Sequence, residues 1–290
     1  MTDPDRSLPR TIAALRAAMA DVLRAHLPDP DADTEARDLL ASLHDAPRSW
    51  ATLHATRPVT AAESARALDA ARARARGMPL AYAAGRAAFR HLWLAVDARV
   101  LIPRPETEQL VDLALARLPR GATVADVGTG SGAIALALAT ERPDLVVHAT
   151  DLSADALDVA QANARALGVA APRLVVHHGD LCAPLAGLAL DALVSNPPYV
   201  PLDAAPALDA GVRDWEPSLA LYGGADGTRV AARLVREAAA VVRPGGWLLV
   251  EIDAAGGDAA LAACAAGAWR DASVEPDLFG RPRFLVTRRR

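Results

Sequence analysis

The chain has 290 residues, 52% of them hydrophobic and 23% charged, the balance of a soluble protein able to bury a real core in one large domain or a medium one with an appendage. All 31 basic residues are arginine, which excludes Schiff-base chemistry and a phosphate-loop lysine. The net charge of −4 leaves no footprint for broad nucleic-acid binding, so no stable nucleic-acid complex is expected.

The two cysteines, Cys182 and Cys264, lack metal or redox spacing and are expected to be reduced structural thiols, with no metal bound. The opening MTDPDRSLPR is acidic and polar and is not expected to be a signal peptide. Charges interrupt every apolar run before membrane-spanning length. A cytoplasmic protein without membrane contact is the expectation.

Residues 1–76 predict a small all-helical domain. LPRTIAALRAAMADVLRAHL sets Ile12, Leu15, Met19, Val22 and Leu23 on one stripe, and DADTEARDLLASLH repeats the amphipathic pattern. TAAESARALDAARARAR makes a third helix, opened by a Thr60 cap with Glu63 at capping-box spacing. Nothing here suggests chemistry, so a scaffold or partner-docking role is expected, and the run ARARARG predicts a solvated helix face or linker, with contact to an acidic partner as the alternative.

Residues 77–104 read as linker and hairpin, alternating through Phe89, Leu92, Leu94 and Val96. LIPRPETEQLVDLALARL then turns helical at Pro105, with Glu106 and Glu108 in the first turn, where they complement the helix dipole. Arg104 and Glu106 are expected to fix the start of that helix, with a place in a cleft wall as the alternative.

In residues 105–290 strands alternate with helices. TVADV, LVVHAT, RLVVHH, DALVS and WLLVEI are the strands, and SGAIALALAT, SADALDVAQANARALG and TRVAARLVREAAAVV the helices between them. The alternation predicts a mostly parallel α/β sheet with helices on both faces. SVEPDL and RPRFLVT are too close in sequence for a crossover and must pair antiparallel. His177 and His178 end a strand and are expected to be loop or surface histidines.

ADVGTGSGAIALALA follows the first sheet strand, and Gly128, Gly130 and Gly132 allow a sharp turn with backbone N–H groups against a ligand at a helix N-terminus. Asp151 ends the second strand, where a carboxylate can accept both hydroxyls of a ribose. Together they suit an adenosine-type cofactor and leave NAD and S-adenosylmethionine both open. VSNPPYV, at the end of the fourth strand beside the first, separates them. Hydride transfer has no evident use for a proline-stiffened rim of acceptors, whereas methyl transfer to an amide or exocyclic NH2 does. Acceptance of the two N–H bonds by the Asn196 side-chain oxygen and the Pro197 carbonyl orients a nitrogen whose lone pair is otherwise delocalised, and the Tyr199 ring can stack on the planar group.

These segments resemble the bacterial protein-(glutamine-N5) methyltransferases that modify peptide chain release factors. The resemblance runs from about Pro79 to Arg283, through VDARVLIPRPETEQLV, ADVGTGSGAIALALA, ATDLSADALDVAQANA, LVSNPPYV, WEPSLALYGGADG, RPGGWLLVEI and DLFGRPRF. NPPY alone is shared with amino-DNA methyltransferases; the RPETE and EPSLALYGGADG segments are more specific. The resemblance implies a Rossmann-like S-adenosylmethionine-dependent fold and S-adenosyl-L-methionine as methyl donor. It further implies that Gly128, Thr129, Gly130, Ser131 and Gly132 line its methionine part, that Asp151 holds the ribose, and that Asp180 and Leu181 border the adenine. Asn196, Pro197, Pro198 and Tyr199 would clamp the glutamine amide, with Asn196 also against the cofactor and Asn196 and Pro197 carrying the catalytic acceptors. Release factors are the implied partners, and because a cleft that grips one amide cannot select among glutamines, the helical domain is expected to dock the factor's body. The rival readings are glutamine methylation of a ribosomal protein, adenine-N6 methylation of nucleic acid, and a cofactor-binding protein without catalysis. Glu251-Ile252-Asp253 is given no role.

Overall fold

The computed structural model describes residues 8–25, 29–265 and 267–290. The opening MTDPDRS and the end of the first predicted helix, His26 and Leu27, lie outside the described residues. The rest divides into two compact units. One holds the described residues up to Ala88 with Ala95–Ala98 and Asp209–Trp215; the other holds those of Phe89–Leu94, Arg99–Leu208 and Glu216–Arg290.

The first unit is helical: α1 (Ile12–Arg24), α2 (Asp29–Leu43), α3 (Trp50–Leu53), α4 (Ala61–Ala75) and α5 (Leu80–Ala84). The α1 stripe packs as its spacing requires, with Ile12, Leu15, Met19 and Leu23 fully buried and Val22 half-buried against them. α4 starts on a complete capping box: Thr60 Oγ1 accepts from the Glu63 N–H at 3.1 Å, and Glu63 Oε2 accepts from the Thr60 N–H at 2.8 Å. Hydrogen bonds from Thr60 and Arg57 hold the Glu63 carboxyl down to about 2. In the arginine run Arg72 and Arg76 are exposed, as a solvated helix face requires, and only Arg74 turns inward, its guanidinium forking onto Glu35 of α2 at 2.6 and 2.7 Å.

After the hairpin β1 (Arg86–Phe89) and β2 (Leu92–Ala95) comes α6 (Pro105–Leu115), then β3 (Thr123–Val127), α7 (Ala133–Glu141), β4 (Val146–Asp151), α8 (Ala154–Ala166), β5 (Leu174–His178) and β6 (Leu190–Ser195). β7 (Val200–Pro201) is followed by α9 (Ala210–Arg213) of the helical unit, α10 (Ser218–Leu221), β8 (Tyr222–Gly224), α11 (Arg229–Ala238), β9 (Val242–Glu251), α12 (Gly257–Cys264), β10 (Trp269–Pro276) and β11 (Pro282–Arg289). Seven strands form one sheet in the order β10-β11-β9-β6-β3-β4-β5. β5, β4, β3, β6 and β9 run parallel, and β11 pairs antiparallel to both β9 and β10. The period-two pleat sorts the core onto two faces. Val124, Val194 and Leu249 meet α6 and α7, while Ala125, Leu193, Leu248 and Val250 meet α11 and α12. Ala133 to Ala139 of α7 are all buried, which is why that helix is apolar all round. Cys182 and Cys264 are buried free thiols, pushed up to about 12 and about 11 by desolvation.

β7 pairs with β8 in a separate two-stranded sheet, and this seats the segment after Asn196. The glycines of YGGADG permit the approach. A Cβ on Gly223 would lie 2.5 Å from the Pro198 carbonyl oxygen, and one on Gly227, at φ +76°, 2.2 Å from that of Tyr199.

Two outcomes check these local causes. Thr60→Ala should destabilise the protein by about 1 kcal/mol in urea unfolding, the usual effect of losing an N-cap. Gly227→Ala should cost more than the roughly 1–2 kcal/mol of a left-handed backbone alone. The control is Gly121→Ala, which has φ +67° and open space around its Cβ. Equal losses at the two glycines would mean that contact with the Tyr199 carbonyl adds nothing.

Candidate active site

β3, β4 and β6 are parallel, so their carboxyl ends share one edge of the sheet. A cavity of about 490 Å³ opens there, within the range that encloses a small organic ligand. Its floor is the turn after β3, where Gly128 and Gly130 have φ +75° and +55° and a Cβ on either would point into open space. These two glycines therefore keep a cradle clear. Gly132 does something else: it is not among the lining residues, and its Cβ would press on Leu136 at 3.0 Å and Ala160 at 3.3 Å, so it packs α7 beneath the cradle. Thr129 and Ser131 line the cavity.

Asp126, flanked in β3 by Val124, Ala125 and Val127, is fully buried under this turn. Its Oδ2 accepts from Thr129 Oγ1 at 2.6 Å and the Ala135 N–H at 3.0 Å, and Oδ1 has no hydrogen-bond partner. Burial pushes its carboxyl up to about 7. Asp151 is placed at the end of β4 with Oδ2 accepting from the Gly130 N–H and Oδ1 from the Ser153 N–H, both at 2.9 Å. Each oxygen retains a lone pair for a further donor, and burial raises this carboxyl too.

Asp180 and Leu181 also line the cavity. Asp180 is held by Arg233, whose Nη2 lies 2.7 Å from Oδ2. Leu181 sits at φ +44°, a strained backbone for a branched side chain, with its carbonyl accepting from Thr150 Oγ1 at 3.3 Å. Leu101, Ile134, Leu152 and Tyr222 supply apolar wall that sequence reading did not single out.

Of the Asn-Pro-Pro-Tyr segment, Asn196 and Pro198 line the cavity, while Pro197 is buried and Tyr199 half-buried outside its lining. Behind Asn196 stands a chain of polar groups. Its Nδ2 donates to Thr107 Oγ1 at 3.0 Å, and Thr107 Oγ1 donates to Glu251 Oε2 at 2.8 Å. The Tyr199 hydroxyl makes a longer 3.4 Å contact with Glu251 Oε1. Thr107 is 4% exposed and Glu251 1%, and desolvation pushes Glu251 up to about 7 and Tyr199 up to about 12. Arg104 lines the cavity and pairs at 2.7 Å with buried Glu216, so the RPETE and EPSLALYGGADG segments are tied together at the cavity wall. Glu106 lies 3.5 Å from Arg281 and is not among the lining residues. His177 stacks on His148, His178 reaches the Leu152 carbonyl, and neither lines the cavity. Among the described residues no cluster of metal-ligating side chains occurs, and no helix is long and apolar enough to cross a membrane.

Comparison with known proteins agrees with this architecture. The methyltransferase small domain matches residues 107–207, and the PrmC N-terminal domain matches residues 14–85. A release factor glutamine methyltransferase from Moorella thermoacetica is 48% identical over 75% of this chain and 77% of its own. One of the same name from Deinococcus radiodurans is 42% identical over 95% of this chain and 97% of its own. A methyltransferase from Pyrococcus furiosus, 18% identical, superposes with a TM-score of 0.50 over 68% of this chain and 87% of that one, and shows the same fold. The chain is a methyltransferase, and with such identity over nearly the full length of both sequences it belongs to the release factor glutamine methyltransferase family.

Proposed function

We infer that the protein transfers a methyl group from S-adenosyl-L-methionine to the side-chain amide nitrogen, N5, of a glutamine in peptide chain release factors. The observation that carries this reading is the place of Asn196: an amide at the edge of a glycine-floored cavity, tethered from behind through its nitrogen. The tether leaves Oδ1 to accept an N–H from the incoming amide. That acceptance orients the glutamine nitrogen, and the Pro197 carbonyl is assigned the second N–H. Tyr199 is assigned to close the substrate side of the planar group.

The cavity fits the methyl donor in its donor set. Gly128 to Ser131 are assigned to its amino-acid portion, Asp151 to the ribose hydroxyls, and Leu181 with Asp180 to the adenine. When bound, the donor supplies an electrophilic methyl carbon on a sulfonium. The chain's own residues orient the acceptor and keep water out, which is where positioned reactants gain most of their rate. We assign residues 1–76 to docking the body of the factor, since one amide in a cleft cannot discriminate among the many glutamines of other proteins. We place the activity in the cytoplasm, where the buried thiols stay reduced.

Two substitutions separate binding from chemistry. Asp151→Ala should weaken S-adenosyl-L-methionine binding by about 1.5–3 kcal/mol, the value of charge-assisted hydrogen bonds, or roughly ten- to over a hundredfold in calorimetry. Asn196→Ala should lower turnover on an intact release factor by far more than it lowers cofactor affinity. Full turnover without the Asn196 acceptor would contradict the reading.

A further inference from the structure

Thr107, which also lines the cavity, is the tether of Asn196, and Glu251 behind it is a buried carboxyl that the chemistry above does not use. They come from α6 and β9, far apart in sequence, and meet behind Asn196. A threonine hydroxyl has one hydrogen to donate. An ionised Glu251 can only accept, so it takes that hydrogen and leaves Thr107 Oγ1 an acceptor toward Asn196. Asn196 must then turn its NH2 to Thr107, which sends its oxygen the other way. If Glu251 were protonated, the hydroxyl could donate to Asn196 instead, and the amide could flip.

We propose that Glu251 and Thr107 are positioning residues that lock the Asn196 side chain with its oxygen toward the substrate amide. This rests on the reading above that Asn196 Oδ1 accepts an N–H of the glutamine. Burial raises Glu251 to about 7, Glu106 of α6 pushes in the same direction, and Thr107, Arg283 of β11 and Tyr199 favour the ionised form. The lock therefore engages as pH rises through neutrality and fails below it.

The test compares the wild type with Glu251→Gln, Thr107→Val and Thr107→Ser, using intact release factor and saturating S-adenosyl-L-methionine. Saturation keeps any titration of Asp126 under the glycine turn from entering through cofactor binding. Glu251→Gln and Thr107→Val should lower kcat roughly ten- to a hundredfold, the effect of a misplaced group, with cofactor affinity unchanged in Glu251→Gln, whose side chain is not among the cavity-lining residues. Thr107→Ser should keep kcat near wild type. The wild-type kcat should rise with pH through about 7, and this limb should vanish in Glu251→Gln. In substrate-free protein, the side-chain amide hydrogens of Asn196, followed by ¹⁵N NMR, should exchange slowly in the wild type and Thr107→Ser and fast in the other two. Wild-type kcat in Glu251→Gln or Thr107→Val, or the same exchange rate in all four proteins, would overturn the proposal. If Glu251→Gln loses cofactor binding and so its fold, the Thr107 pair decides. A wild type that methylates no glutamine would sink the functional reading instead, and the exchange measurement would still decide the positioning.

Discussion

Ser195 Oγ donates to the Val127 carbonyl at 2.6 Å, fully buried, and so pins the end of β6 to the end of β3. Everything at the cavity hangs from that junction. The glycine turn leaves β3 one residue later, Asn196 leaves β6 one residue later, and Asp151 closes β4 on the other side of β3. Parallel pairing is what brings the three ends to one edge. In a hairpin arrangement, neighbouring strands would end on opposite edges.

The site is costly to hold. Asp126, Glu216 and Glu251 are carboxyl groups at or below 5% exposure, and desolvation is the first cause raising each of them. Leu181 sits in a left-handed backbone, and the carbonyls of Pro198 and Tyr199 are packed so closely that only glycine fits opposite them. Such features persist only where the surroundings over-determine them. Here the surroundings are two apolar layers on a seven-stranded sheet, with α7 buried on every side. Fixed acceptors in a desolvated place have the arrangement that orients a weak nucleophile without reorganising at the moment of reaction.

What could be read from the sequence was what is local or periodic. The α1 stripe, the Thr60 capping box, the alternation of strands and helices and the antiparallel end each rest on a spacing of a few residues, and each is present. Glycines in a turn after a strand and an acid at the end of the next are local too, and their cavity placement follows from parallel pairing. Gly132 shows the limit: the same residue type in the same turn serves packing rather than lining, a distinction set by Leu136 and Ala160 in space. α5 was not foreseen, because a five-residue helix carries too little periodicity to register. Thr107 and Glu251 were missed because their contact spans 144 residues, and neither residue alone signals a partner. Asp126 and Glu251 did carry a cue: an acid set against apolar strand residues, between Ala125 and Val127 or directly after Trp247-Leu248-Leu249-Val250, is the informative exception to burial by hydrophobicity.

The central claim is that the acceptor is a side-chain amide nitrogen of a release factor. The most direct measurement is tandem mass spectrometry of intact release factor, ribosomal proteins and an adenine-containing duplex after incubation with the protein and isotopically labelled S-adenosyl-L-methionine. The account predicts one labelled methyl on the side-chain amide of a single glutamine in the release factor. Label confined to a ribosomal protein or to adenine would contradict it.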